Sequence, residues 1–295
     1  MKNKKLFNTI AIVGVGLIGG SIGLAAKKRK LADKIIGLGR SKLSLKKALK
    51  KKAVDEISLD KSKVKDADLV IFATPVSKIV PLVKELLPYF KKGTVITDVG
   101  STKREITKGL DKILPPDIPF IGAHPLAGSE KHGVEFSSAE LFEKNICFLV
   151  PRKNKNIAKP FSKIKKFWKK LGANPIAISA EEHDFLMAGI SHFPHIVAVA
   201  LVNSLSGVNW RGKNITTFSG QGWKDTTRIA EGLPEVWLDI FLSNADKLVI
   251  FMEKFDKEWD QIKTSLQEKE FNKLKRILEQ AHIKFRGSKP SRHKR

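Results

Sequence analysis

Two histidine-bearing segments, an arginine-bearing one and a glycine cluster carry most of the chemistry this sequence can do. His124 stands in His124-Pro125-Leu126-Ala127-Gly128, directly after the apolar run Phe120–Ala123. An imidazole with an ordinary pKa near 6.5 can take a hydroxyl's hydrogen bond and proton, so a histidine at a strand's carboxyl edge suits a general base. Further on, Ser191-His192-Phe193-Pro194-His195 lies inside a helical pattern, where Pro194 should kink the helix and free polar groups for a ligand. Arg228, at the end of Asp225-Thr226-Thr227-Arg228, is the type of residue that anchors a carboxylate through paired charge-assisted hydrogen bonds. His183, His192 and His195 could also suggest a metal site. They come without cysteines or a matched acidic set, so no metal is expected.

The glycines are Gly14, Gly16 and Gly19 in Ile10-Ala11-Ile12-Val13-Gly14-Val15-Gly16-Leu17-Ile18-Gly19. A buried strand running into G-x-G-x-x-G and then a helix is the setting of a dinucleotide site. Gly14 makes the turn, Gly16 admits the pyrophosphate against the backbone, and Gly19 lets helix and strand pack closely. Leu17 and Ile18 open the helix whose N-terminus faces the phosphates. An NAD site places an acidic residue at the end of the second strand, about 20 residues on, to hold the ribose 2′-hydroxyl. Here Gly39-Arg40-Ser41-Lys42 stands instead. Arg40 and Ser41 can hold a 2′-phosphate, which favours NADP over NAD; Arg40 stacked on the adenine would leave both cofactors possible. Thr74 and Pro75 end a third strand on the same edge and should border the dinucleotide. Ser101, after Asp98-Val99-Gly100, has two roles open to it: a ligand contact, or an N-cap for a helix starting at Thr102.

These residues need a scaffold. Strand-like runs at Thr9–Val13, Lys34–Leu38, Leu69–Ala73, Val95–Val99, Phe120–Ala123, Ile146–Val150 and Pro175–Ile178 alternate with helical ones. The helical stretches are Leu17–Arg29, Leu43–Lys52, Val76–Phe90, Lys103–Ile113 and Phe161–Leu171. That alternation predicts an α/β fold, a parallel-sheet dinucleotide-binding domain over residues 1–178. From residue 179 to 286 the pattern turns helical, in Glu181–Leu205, Pro234–Thr264 and Glu268–Ile283, which predicts an all-helical second domain for substrate and dimerisation. Residues 287–295, Gly-Ser-Lys-Pro-Ser-Arg-His-Lys-Arg, read as a basic, disordered tail.

Of 295 residues, 55 are Lys or Arg and 30 Asp or Glu, a net charge of +25. The basic runs Lys27–Lys30, Lys46–Lys52 and Lys163–Lys170 interleave with apolar residues at helical spacing, as solvated helix faces do. They are read as a lysine coat that also draws in anionic ligands, rather than as a nucleic-acid surface. One cysteine, Cys147, leaves no disulfide framework within the chain and fits a reducing cytoplasm. No stretch reaches the ~18 uninterrupted apolar residues of a membrane span. The basic N-terminus leads into the first strand without a signal-peptide cleavage pattern.

In sequence order, GVGLIGGS, Ala73-Thr74-Pro75, DVGS, HPLAGSEKHG, SHFPH, DTTRIA and PEVW together resemble the prephenate/arogenate dehydrogenase family of tyrosine biosynthesis, over roughly residues 8 to 285. The resemblance implies a Rossmann-type domain, a helical dimerising domain, and the oxidative decarboxylation of prephenate to 4-hydroxyphenylpyruvate with hydride transfer to a nicotinamide. It also implies roles. His124 is the base and Ser101 assists at the same hydroxyl. Arg228 binds the ring carboxylate and His195 the side chain. Ser191, His192 and Trp237 line the pocket, and Glu130 and Asp225 join an ionic cluster with Arg228. Arogenate-restricted members often carry an apolar residue where this chain has His195, so prephenate is favoured and arogenate is the alternative. A non-catalytic NADP sensor or a nucleic-acid-binding protein is the reading of another class. Neither an ACT regulatory domain nor a chorismate mutase segment is expected.

Overall fold

The computed structural model describes residues 5–128, 131–152 and 157–288. Strands β1 (Phe7–Val13), β2 (Ala32–Leu38), β3 (Glu56–Ser58), β4 (Leu69–Phe72), β5 (Val95–Asp98), β6 (Phe120–Pro125), β7 (Ile146–Pro151) and β8 (Asn174–Ala177) form one sheet in the order β3-β2-β1-β4-β5-β6-β7-β8. Pairing is parallel throughout except between β6 and β7. Parallel neighbours need crossovers. Five are helical: α1 (Leu17–Lys28), α2 (Lys42–Lys50), α3 (Val76–Leu86), α4 (Arg104–Ile113) and α5 (Ala158–Lys170), the last leading from β7 to β8.

Alternation along β1 shows how the layers arise. Ile10 and Ile12 pack with Ile22 and Ala26 of α1 and with Phe167 and Trp168 of α5 on one face. Ala11 and Val13 face the other way, onto Ile79 and Val83 of α3 and Leu110 of α4. A strand buried on both faces is a near-continuous apolar run, which is how β1 reads. The chain order reverses at β1, flanked by β2 and β4, and that switch point opens a crevice at the strands' carboxyl ends.

The remaining elements are mainly helical: α6 (Ala180–Met187), a π-helical turn at Ala188–His192, α7 (Phe193–Leu205), α8 (Gln221–Thr227), α9 (Pro234–Ser243), α10 (Ala245–Gln267) and α11 (Phe271–Ser288). A two-strand ribbon, β9 (Asn209–Trp210) and β10 (Lys213–Asn214), interrupts them. The chain forms two compact units, one closing at Ala245 and the other opening at Asp246. The expected tail is corrected at its start: Gly287 and Ser288 belong to α11, and the rest lies outside the described residues.

The run 180–205 is long and apolar enough to cross a membrane by length and composition alone. It carries the buried polar side chains His183, Asp184, His192 and His195. Pro194 leaves its mark upstream. Its ring cannot donate and crowds the carbonyl four residues back, and the helix widens so that Phe193 N–H reaches Ala188 O, five residues away.

Candidate active site

A cavity of about 850 Å³ lies at the carboxyl ends of β1, β4, β5 and β6, closed by residues from 187 to 240. Gly14 sits at φ +93°, and a Cβ there would meet Ala73 O at 2.5 Å. A Cβ on Gly19 would lie 2.1 Å from Gly14 O, whereas one on Gly16 would meet nothing within 4 Å. The turn is therefore tight at its first and third glycines and open at the second, where backbone faces the cavity. Gly16 caps α1 without a side-chain hydrogen bond, and the helix has no acid in its first turn. Its N–H groups are left for an anionic ligand. Leu17, Ile18, Thr74 and Pro75 line the same wall, and Thr74 Oγ1 is buried without a partner among the described residues. These features fit a dinucleotide. Gly14 N–H donates to Leu38 O at 2.8 Å, so the loop carrying Arg40 leaves the sheet beside the glycine turn. Arg40 is exposed there, and Ser41 caps α2 by accepting from Ser44 N–H.

His124 and Ser101 both line the cavity. Of the two roles open to Ser101, capping a helix from Thr102 is excluded: α4 starts at Arg104, and its cap residue Lys103 makes no side-chain capping hydrogen bond. Asp184 supplies the acceptor from α6. Its Oδ1 takes Lys103 N–H at 2.7 Å and its Oδ2 takes Arg104 N–H at 2.9 Å. The same Oδ1 lies 2.7 Å from His183 Nδ1, and His183 Nε2 lies 2.9 Å from His124 Nδ1.

Donor and acceptor roles follow from the end of this chain. Asp184 already accepts two backbone N–H groups, so it accepts again from His183 Nδ1–H. His183 Nε2 then has only a lone pair and accepts from His124 Nδ1–H. His124 Nε2 is left bare, as a base requires. Burial holds the His124 pKa well below its ordinary 6.5, and the neighbouring His183, Lys103 and His192 push it the same way. The ring is neutral at physiological pH.

A buried ion pair shapes the loops. Lys103 Nζ contacts Asp98 Oδ2, both side chains being fully buried. Asp98 also accepts Gly100 N–H at 2.8 Å and Ala123 N–H at 3.2 Å. One carboxylate thus holds the backbone just before Ser101 and just before His124.

On the helical side, Ser191, His192, Arg228 and Trp237 line the cavity. His195 is placed behind that wall, stacked on Trp237 with ring centroids 3.5 Å apart. Burial lowers the His195 pKa to about 4. Asp225 is off the wall too and accepts from Gln221 Nε2 at 2.7 Å. Glu130 lies outside the described residues. Among the described residues, no group of three or more His, Cys, Asp or Glu side chains could hold a metal ion. Sequence reasoning missed Asp98, Lys103, Asp184 and Asn244, and considered His183 only as a metal ligand. One signal was available: Ser179 and Glu182 form a capping box, which puts His183 and Asp184 on the first turns of a helix.

Comparison with known proteins agrees along the whole chain. Family models described as prephenate dehydrogenase, nucleotide-binding domain, and prephenate dehydrogenase, dimerization domain, match residues 22–177 and 179–280. The prephenate dehydrogenase of Bacillus subtilis is 37% identical over 289 residues, covering 97% of this chain and 77% of that one. The cyclohexadienyl dehydrogenase of Zymomonas mobilis is 32% identical, covering 88% and 89%. The A. aeolicus prephenate dehydrogenase, solved with hydroxyphenyl propionate and NAD+, superimposes with a TM-score of 0.88 at 32% identity, over 95% of this chain and 98% of that one. The chain belongs to the prephenate dehydrogenase family.

Proposed function

We propose that this protein is a cytoplasmic prephenate dehydrogenase that converts prephenate to 4-hydroxyphenylpyruvate and uses NADP in preference to NAD. The chain of hydrogen bonds from Asp184 through His183 to His124 carries the reading, because it presents a neutral imidazole with a bare Nε2 at a cavity wall. In this reading His124 Nε2 takes the proton of the ring hydroxyl. Ser101, on the same wall, hydrogen-bonds that hydroxyl. Arg228 holds the ring carboxylate until it leaves as CO2, while Ser191, His192 and Trp237 enclose the ring and side chain. His195 acts through Trp237, whose indole it backs. Gly14, Gly16, Gly19 and the α1 N-terminus hold the dinucleotide, with Leu17, Ile18, Thr74 and Pro75 along it. A bound nicotinamide would supply the acceptor for the hydride that leaves the hydroxyl-bearing ring carbon. The missing acid at Gly39 and the exposed Arg40 support NADP.

Residues 1–178 hold the cofactor in this proposal, and residues 179–286 provide the substrate wall and a homodimer contact. Exposed Val249, Met252, Phe255 and Trp259 of α10 and Leu278 and Phe285 of α11 give that contact apolar surface. Formation of reduced cofactor, followed with prephenate or arogenate and NAD or NADP, tests the assignment. Prephenate with NADP should give the highest kcat/KM. Turnover with no pair refutes the activity, and faster turnover of arogenate refutes the substrate.

A further inference from the structure

We propose that Asn244 is a positioning residue that locks His192 as its Nε2–H tautomer, making His192 a hydrogen-bond donor to a carboxylate or carbonyl oxygen of the ligand in the cavity. Asn244 ends α9 and is fully buried. Its Nδ2 lies 2.7 Å from the backbone oxygen of Asp184. A carbonyl oxygen only accepts, so the amide nitrogen must face it, and the side chain cannot be turned over. The same nitrogen lies 3.3 Å from His192 Nδ1 and has a second hydrogen to give. His192 Nδ1 therefore accepts, and the single proton of the neutral ring sits on Nε2.

That Nε2 is buried with no partner among the described residues, on a side chain only 1% exposed that nonetheless lines the cavity. A buried N–H without an acceptor is unfavourable, and a ligand oxygen would satisfy it. Burial independently keeps the ring neutral, lowering its pKa to about 4 against the opposing pull of Asp184. Asp184 thus governs two histidines in opposite senses. Its side chain, through His183, leaves His124 an acceptor; its backbone oxygen, through Asn244, leaves His192 a donor.

The proposal rests on the reading of the cavity as a site for a carboxylate substrate, and its test separates the two. Long-range proton–nitrogen NMR of the histidine-labelled full chain at neutral pH, assigned by loss of signal in His192→Gln, should show His192 protonated at Nε2 only. Asn244→Ala should give a mixture of tautomers. Kinetically, Gln keeps an N–H near the position of Nε2 and Leu does not. His192→Leu should raise KM for prephenate about tenfold or more, while His192→Gln stays at least about fivefold closer to the parent protein. The dinucleotide KM should hold in both. Protonation at Nδ1 in the parent protein, or equal KM increases for Gln and Leu, overturns the proposal. If Asn244→Ala does not fold, the parent tautomer and the Gln–Leu contrast still decide. If the parent protein turns over neither prephenate nor arogenate, the substrate reading fails, while the NMR pattern still decides the tautomer.

Discussion

Replacing Asp184 by Asn changes one atom and should disable the base without removing it. In the parent protein, Oδ1 accepts from Lys103 N–H and His183 Nδ1, and Oδ2 accepts from Arg104 N–H. An amide offers only one oxygen. If the NH2 faces Arg104, two donors oppose each other at the start of α4. If it faces His183, it opposes Lys103 N–H instead, Nδ1 must accept, His183 Nε2–H donates to His124, and the proton of His124 moves to Nε2. The second arrangement cannot take a substrate proton. A hydrogen bond to a charged group contributes about 1.5–3 kcal/mol, which at about 1.4 kcal/mol per tenfold shifts the tautomer balance about 10- to 150-fold. kcat should fall by about that factor. The KM for the dinucleotide should hold, because the glycine turn is untouched. His124→Asn should cost more, about 10²- to 10⁴-fold, since it removes the base itself. Initial rates with prephenate, together with a melting curve showing a cooperative fold, measure both. A folded Asp184→Asn variant with kcat within about twofold of the parent would refute the tautomer argument.

Three other outcomes follow from the same geometry. Arg40→Ala should lower kcat/KM for NADP about tenfold or more and for NAD far less, since a charge-assisted contact to a 2′-phosphate is lost; equal losses would remove Arg40 from cofactor choice. Arg228→Ala should raise KM for prephenate about tenfold or more, and an unchanged KM would move the carboxylate elsewhere. Acid should destabilise the fold through His192, whose pKa falls from 6.5 unfolded to about 4 folded. The unfolded chain binds the extra proton, so stability is full above about pH 6.5, declines as pH falls, and is lower by about 3 kcal/mol once pH passes about 4. Urea melts of the parent and His192→Gln across that range measure it, and parallel pH slopes for the two would exclude His192 as the source.

Much of the scaffold can be read from residue order because its signals are local. Ile10–Val13 before Gly14-Val15-Gly16 announces a strand, a turn and a helix by apolar run and glycine spacing alone. Strand β3 escapes such reading: Glu56-Ile57-Ser58 is half-buried and three residues long, too short for a pattern. The run Glu181–Leu205 shows one apolar periodicity, but Pro194 divides it by widening the turn before it. The histidine relay is harder still. His124 and His183 are 59 positions apart, and nothing local distinguishes an Asp on a helix's first turns from an ordinary solvated acid. The capping alternative for Ser101 failed for the same reason, since the acceptor of the Arg104 N–H at the start of α4 is Asp184, 80 residues downstream. The basic run Lys27–Lys30 shows both sides of this: its helical spacing marks an outer face, but its partners are distant in the chain, Asp55 for Lys27, Glu140 for Lys28 and Glu143 for Arg29.

The polar groups buried beside the cavity carry structural and chemical duties together. A fully buried pair such as Asp98–Lys103 is weak evidence for stability, because desolvating both ions offsets their attraction. Its value lies in what else Asp98 holds: the N–H groups of Gly100 and Ala123, one residue before Ser101 and one before His124. Asp184 works alike. By taking the free N–H groups at the start of α4, it fixes α6 against the sheet's carboxyl edge, and by taking His183 Nδ1–H it fixes the base. Two carboxylates therefore set the backbone around the reacting groups and the proton positions within them. An apolar replacement of similar volume at Asp98–Lys103 removes the ion pair itself at little net cost, but it leaves the buried N–H groups of Gly100 and Ala123 without their acceptor, at about 1–3 kcal/mol each, and so releases the loops that aim Ser101 and His124.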